Sequence, residues 1–570
     1  MDAFIIISFI VGAIIVALVI NIIAQQRKIK RFAERLKKNF GKIERKEYDP
    51  EKASSYRGYY LNHLDDDGFY IDDITWNDAE GETLYNSINK CYSSCGDEYL
   101  YYTLRCIDIS PSKEKIEKYV SQTDALIEDE EMRLKLQLLF AKLGKTGKHS
   151  VFEYISLLSD VKRVPLILFY IVWLVYILII GSFFINVTLG ICLLIAWMIV
   201  CVFIYISHNK SVQNYITSFE YIVRTLIISE KAVGMKIPFY EEEYKRLTEL
   251  RKKLKGVKTS YLSFIKQSNR TGIADMASGM TALLNCFFLI DIFFFYKMLK
   301  YVIENEDAYG EIFAILGKME SQISVANLKA SFEDKCVPTF GDEKLIKGTD
   351  MIHPLVKDCV PNSFENSKGM LITGSNASGK STFLRSVLVN MILSESVYVA
   401  CAKEFSFKPS MLFSSMSLSD SLGSGESYYM AEINSIKRII NAKESGANVI
   451  CFLDEVLRGT NTMERVAAAT EILKYLTGEN IITLAATHDI ELTYLLENDY
   501  DNHFFREEIK KDEEGKEDIY FSYKINDGRS DTRNALLLLK IKEYPSKIVE
   551  NAQILSKGFV DTGKWQYEEG

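Results

Sequence analysis

The chain has 570 residues, of which 48% are hydrophobic and 25% charged, with a formal net charge of −8 from 68 basic and 76 acidic side chains. That length suits several domains at ~100–200 residues each, and the acidic balance excludes a protein coated with basic charge for nucleic acid, although a local basic groove is still allowed. Nine prolines favour long helices, and ten scattered cysteines form no disulfide framework and fit reduced, buried thiols.

Residues 3–24 carry no charge and, at 22 residues, are long enough to cross ~30 Å of hydrocarbon as a helix. A secretory signal would place its basic residues before the apolar run. Here they follow it, as Arg27, Lys28, Lys30, Arg31, Arg35, Lys37 and Lys38. The expectation is an uncleaved anchor with the rest of the chain on the cytoplasmic side. Residues 25–163 read as a basic collar and a soluble helical region. The acids Asp65, Asp66, Asp67, Asp72 and Asp73 lack the spacing of a calcium loop and read as a solvated turn.

Residues 164–207 form a second uncharged stretch, 44 residues long, which fits two membrane helices reversing near Gly181 and Asn186. Lys162 and Arg163 before it and Lys210 after it put both ends in the cytoplasm. Residues 208–345 return to helical periodicity. The apolar run 283–295 is interrupted by Asp291 and reads as a core helix rather than a further span. The chain is thus expected to be a multi-pass protein of the cell (inner) membrane with its last domain cytoplasmic. The basic collar is a candidate contact for lipid headgroups, or a topology determinant alone.

Beyond Pro338, through residues 346–570, short β-type runs alternate with helical stretches, the mark of an α/β domain with a largely parallel sheet. Gly374, Ser375, Asn376, Ala377, Ser378, Gly379, Lys380 and Ser381 match G-x-x-x-x-G-K-[ST], between an apolar run at 370–373 and a helical segment opening at Thr382. In that context backbone N–H groups and a helix N-terminus cradle phosphates, Lys380 reaches the β and γ phosphates, and the Ser381 hydroxyl faces Mg²⁺. A strand-like run then ends in Asp454, placed for Mg²⁺, and Glu455, placed to activate or orient water. A further run leads to Ala486-Thr487-His488, with His488 positioned to sense the γ phosphate or to place water. The cofactors expected are ATP and Mg²⁺, and the catalytic set is Glu455, His488 and Lys380.

This order of motifs resembles the MutS family of DNA mismatch-repair ATPases. His353-Pro-Leu-Val with Val360-Pro-Asn looks like the family's entry to its ATPase, Asp454-Glu455-Val-Leu-Arg458-Gly459-Thr460 is similar to its DE-x-GRGT, and Ala486-Thr487-His488 matches its ATH. The segment from Asp420 to Glu432 resembles the family signature that crosses the dimer interface, with Ser427 on the serine that reaches the γ phosphate of the facing copy. Upstream, Asp73 to Arg105 and Ser321 to Pro338 look like the two ends of the family's helical core and lever.

There are departures as well. Tyr428 replaces the signature threonine, Leu457 replaces a glycine, and Cys359 stands near the place of an aromatic that packs on adenine. The mismatch-reading domain and the clamp are not matched. Three Phe-x-Glu strings, among them Phe505/Glu507, read as chance. The resemblance implies a homodimer with composite ATP sites and leaves DNA open as a partner. Two functions remain: a membrane-anchored MutS-like ATPase acting on DNA in mismatch repair or recombination, or an ATP-driven membrane signalling module without DNA.

Overall fold

The computed structural model describes residues 2–64, 68–147, 150–152, 158, 161, 164–257, 286–375, 378–416, 428–458, 460–511, 517–529, 536, 539, 541, 544–562 and 565. Helix α1, Asp2–Asn39, carries the N-terminal apolar run and the basic collar in one piece, with no breaker between them. Side chains in its first turns lie outside the described residues; Val16, Val19, Ile20, Ile22 and Ile23 are exposed. Lys37 at its far end pairs with Glu130 at 2.5 Å.

The helical region is built from α2 (Ser94–Arg105), α3 (Lys113–Glu128), α4 (Glu130–Leu143), α5 (Ile167–Ser182), α6 (Val187–Met235), α7 (Glu241–Lys253), α8 (Ile290–Glu304) and α9 (Glu306–Ala330). Ser93, Ser112 and Asp129 cap α2, α3 and α4 with side-chain oxygens, satisfying backbone N–H groups left over in each first turn. The core among these helices holds Phe140, Phe219, Phe295, Tyr309 and Phe313, all less than 2% exposed.

The hairpin reverses where the sequence suggested. Helix α5 ends at Ser182, and Asn186 Oδ1 caps α6 by accepting from Thr188 N (2.9 Å) and Leu189 N (3.2 Å). The two apolar helices of the hairpin differ in length. Among the described residues one helical stretch, Val187–His208, is long and apolar enough to cross a membrane; Ile167–Ser182 is apolar but shorter. The reason is local. Pro165 and Leu166 lie in the turn before α5, which leaves 16 helical residues, or ~24 Å.

Helix α6 does not stop at the apolar boundary. It runs on for 49 residues, ~74 Å, from the apolar hairpin into the helical core. The run at 283–295 is helical only in part: residues 283–285 lie outside the described residues, and Leu289 adopts a left-handed conformation (φ +51°) before α8 starts. It packs on the hairpin, where Trp173 Nε1 donates to Phe288 O (2.9 Å) and the Tyr176 hydroxyl to Phe287 O (3.0 Å).

The C-terminal domain contains a six-stranded sheet of β1 (Gly369–Thr373), β2 (Met411–Ser415), β3 (Val449–Asp454), β4 (Ile481–Ala486), β5 (Tyr500–Phe504) and β6 (Asn526–Asp527) in the order β6-β5-β1-β4-β3-β2. All neighbours are parallel except β5 and β6. Helices α10 (Lys380–Val397), α11 (Tyr428–Glu444) and α12 (Thr462–Tyr475) alternate with the strands, and α13 (Ser546–Thr562) follows them. Strands β1 and β4 are buried along their whole length, as parallel strands covered on both faces are. A smaller four-stranded sheet, of Thr339–Phe340, Ile346–Met351, Asn362–Asn366 and Glu404–Phe407, lies beside it. One apolar core joins the two regions, with Leu100 and Leu104 of α2 packed in the same cluster as Leu384 and Leu388 of α10.

Candidate nucleotide site

Strand β1 delivers the chain into the glycine turn and α10 takes it away. Gly374 has φ +142°, and a Cβ there would lie 2.6 Å from the Phe505 carbonyl oxygen; Gly379 has φ +108°. Side chains at these positions would strain the backbone and close the turn. Lys380 opens α10 and folds back over the loop, its Nζ donating to Gly374 O (2.7 Å) and Ser375 O (2.9 Å). Burial lowers the Lys380 pKa to about 8, against the opposing pull of Asp454 and Glu455. Ser375 Oγ is buried without a partner among the described residues, while Ser378 Oγ donates to Ser375 O at 2.7 Å.

Strand β3, parallel to β1 and separated from it by β4, brings both acids to this turn. Ser381 Oγ donates to Asp454 Oδ2 at 2.5 Å. The next residue, Glu455, sits at φ +58°, and Leu457 at +61°, in a tight left-handed turn. The Glu455 N–H holds the turn to β4 by donating to Ala486 O (2.9 Å), and Glu432 on α11 accepts from Leu457 N (2.5 Å). His488 Nε2 lies 2.8 Å from Glu455 Oε1 and 3.4 Å from Lys380 Nζ, and Arg458 Nε lies 2.5 Å from Glu455 Oε2. Burial pushes the Glu455 carboxyl up, but His488 and Arg458 outweigh it and hold it at about 2.

Beside the turn lies a cavity of about 340 Å³ between the two sheets, walled by Cys359, Gly379, Thr382, Phe383, Phe505 and Tyr523. Asn362 fixes one side: its Nδ2 donates to Tyr523 O (3.0 Å) and its Oδ1 accepts from Ile525 N (2.8 Å). Cys359 does reach this cavity, but the ring faces come from elsewhere, from Phe383, Phe505 and Tyr523.

Lys380, Ser381, Asp454, Glu455 and His488 converge, and Gly374, Ser375, Ser378, Gly379 and Thr382 surround them. Asn376, Ala377 and Ser427 lie outside the described residues. Sequence reasoning missed the walls Phe505 and Tyr523 and the clamp of Arg465 on Asp489 (3.0 and 2.6 Å), which braces α12 against the residue after His488. Phe505, dismissed there as part of a chance Phe-x-Glu string, donates its N–H to Thr373 O, which ties it to the end of β1. Only pairing of β5 with β1 reveals that position. The groups present suit a magnesium nucleotide: an orphaned hydroxyl and a glycine cradle at a helix N-terminus, a serine and a carboxylate oxygen for a hard cation, and an aromatic slot for a base.

Strand, glycine turn and helix, with two acids at the end of a parallel strand one place removed in the sheet, have the form of a P-loop nucleotide-binding domain. Residues 370–559 match the family model described as MutS domain V. The chain is 28% identical over 285 residues to the DNA mismatch repair protein MutS of Staphylococcus carnosus, covering 48% of this chain and 32% of that protein. It is 30% identical over 283 residues to the protein of the same name from Thermotoga maritima, covering 47% and 34%. To the human MutS protein homolog 4 it is 29% identical over 258 residues, covering 42% and 27%. The chain therefore spans about a third of the length of these curated relatives. The likeness to the MutS family covers residues 370–559 by the family model and about half of the chain by these relatives.

Proposed function

We propose that the chain is a membrane-anchored MutS-type ATPase whose catalytic domain works in the cytoplasm as one half of a dimer. The observation that carries this reading is the contact of Ser381 with Asp454 at 2.5 Å beside Glu455 and His488. Lys380 exchanges the Gly374 and Ser375 carbonyls for phosphate oxygens when nucleotide enters. Ser381 and Asp454 hold Mg²⁺, which supplies charge neutralisation at the phosphates. Glu455 stays ionised and orients water by accepting its proton in a hydrogen bond, and His488 fixes the Glu455 carboxylate and lies close enough to Lys380 to register what Lys380 binds. Phe505 and Tyr523 face the base. By its likeness to the family signature, Ser427 of one copy completes the site of the other.

In this reading the domain order is an anchor at 1–24, a collar and core region at 25–163, an apolar hairpin at 164–207, a lever at 208–345 and the ATPase at 346–570. Dimerisation and DNA contact rest on family likeness and on the names of the relatives. The test is ATP hydrolysis by the detergent-purified chain with and without duplex, mismatched and branched DNA. Stimulation supports a role in mismatch repair or recombination.

A second reading, an ATP-driven membrane switch without DNA, draws on α6. That helix carries the exposed apolar residues Ile195, Ile199 and Phe203 and continues into the core packed on α9. Hydrolysis indifferent to every DNA tested, by a chain that remains in washed membranes, supports this one.

A further inference from the structure

The C-terminal part of helix α1 is strongly cationic. Between Arg27 and Lys38 it holds seven cations and one carboxylate, Glu34, in a chain whose net charge is −8. Two neighbouring rows, each stepping by four residues, line one continuous recess along the helix. One row runs Ile20, Ala24, Lys28, Phe32; the other runs Ile23, Arg27, Arg31, Arg35. Both rows start apolar and turn cationic at the same level, just past the uncharged run that ends at Ala24.

The face is open and its charges are unmatched. Ile20 and Ile23 are 61% and 44% exposed, and Arg27, Lys28, Arg31 and Arg35 are exposed too. None of these four cations makes an ion pair among the described residues, whereas Lys37 is held by Glu130. The neighbouring face is docked: Phe32 meets Tyr92 edge to face at 5.4 Å, and Leu36 is buried. That docking fixes which way the cationic rows look. A topology signal needs only a count of cations near the end of a span. Cationic rows that continue exposed apolar rows go further, and they match an amphiphile with an anionic head and hydrocarbon tails.

We propose that these two rows bind an anionic phospholipid of the cytoplasmic leaflet, its phosphate among Arg27, Lys28 and Arg31 and an acyl chain along Ile20 and Ile23. The site rests on the reading of α1 as a membrane anchor. At 1.5 Å per residue Arg27 and Arg31 stand ~4 and ~10 Å beyond Ala24, and the headgroup layer is ~5–8 Å deep. Helical side chains lean toward the helix N-terminus, here the membrane side, so the long Arg31 side chain reaches back into that layer. Guanidinium groups take phosphate oxygens in paired hydrogen bonds. Arg35, ~16 Å out, adds to the field that draws the anion in.

In the test the full chain in detergent is titrated with phosphatidylglycerol or with phosphatidylcholine of the same acyl chains, and bound lipid is counted by native mass spectrometry. Phosphatidylglycerol is expected to bind at least about tenfold more tightly. Arg27→Gln with Arg31→Gln is expected to remove most of that preference, while Lys30→Gln with Lys42→Gln, which loses the same charge outside the two rows, keeps it. No preference in the wild-type chain, a comparison that needs no variant to fold, would overturn the proposal, as would an equal effect of both pairs. Displacement of the lipid by short duplex DNA would assign the rows to nucleic acid, and displacement by inorganic phosphate would assign them to a free anion; either also overturns it. Carbonate washing of membranes separates this site from the anchor. A chain released by carbonate ends the anchor reading and the lipid site with it, whereas a chain that stays in the membrane yet shows no lipid preference ends the lipid site alone.

Discussion

Asp78 accepts a hydrogen bond from Ser414 Oγ at 2.6 Å, joining a short helix of the N-terminal region, Asp73–Asp78, to the edge strand β2 of the six-stranded sheet. The same carboxylate oxygen accepts from Met416 N (2.8 Å), and Thr75 Oγ1 accepts from Ser414 N (3.0 Å). Both acceptor residues are fully buried. Met416 is the last described residue before the segment that resembles the family signature, so the contact fastens the helical region to the root of that segment.

Replacing Asp78 with Ala leaves the Ser414 hydroxyl and the Met416 N–H buried and unpaired. The expected cost is ~2–3 kcal/mol of stability, and the loss of coupling between the two regions. Chemical denaturation in detergent measures the first. Asp78→Asn, which keeps an acceptor oxygen, is expected to lose about half as much.

Nucleotide affinity should depend on pH through Lys380. Burial sets its pKa at about 8, and phosphate binds the charged form. Below pH 7 the ammonium is almost fully present; between pH 8 and 9 its fraction falls several-fold, and each further unit removes about another factor of ten until the pKa of the bound form is reached. A Kd for ATP that weakens from pH 8 upward, with the trend absent in Lys380→Arg, is the expected result.

Glu455 moves the other way. Its pKa of about 2 means it is ionised throughout the physiological range, so the acid limb of any pH–rate profile above pH 5 belongs to another group. Because the folded pKa lies below the ordinary carboxylate value near ~4.3, its contribution to stability is complete above that value and disappears as pH falls toward 2. His488→Gln removes one of the two groups that hold it down. Acid unfolding, followed by circular dichroism, is expected to begin at higher pH in that variant.

Tyr523→Ala opens one wall of the nucleotide slot. Loss of one aromatic face is expected to weaken ATP about 5–10-fold, near 1 kcal/mol, with little change in the rate at saturation. A fall in rate alone would place Tyr523 outside the base site.

The phosphate end of the site was legible in the sequence because its chemistry is local. Gly374 to Ser381 form one turn, and Asp454, Glu455 and His488 each stand at the end of an apolar run. The base slot was not legible, since Phe505 and Tyr523 reach it through strand pairing and through the Asn362 contact, with no spacing of their own to mark them. The apolar hairpin was visible as composition, yet Pro165 shortened its first helix below the length that composition suggested. The residues near 207 suggested a boundary, since Ser207, His208, Asn209 and Ser211 are weak helix formers, yet α6 continues through them without a break. The Asp78–Ser414 contact joins residues 336 apart in sequence and depends on the docking of two regions.

The central claim is that Lys380, Asp454 and Glu455 form a working ATPase site, and hydrolysis by the full-length chain tests it most directly. The account predicts that the wild-type chain turns over ATP with Mg²⁺, that Lys380→Ala loses nucleotide binding, and that Glu455→Ala binds ATP but hydrolyses it at least ~100-fold more slowly. Hydrolysis that survives both substitutions unchanged, or a wild-type chain that binds no nucleotide, would contradict it.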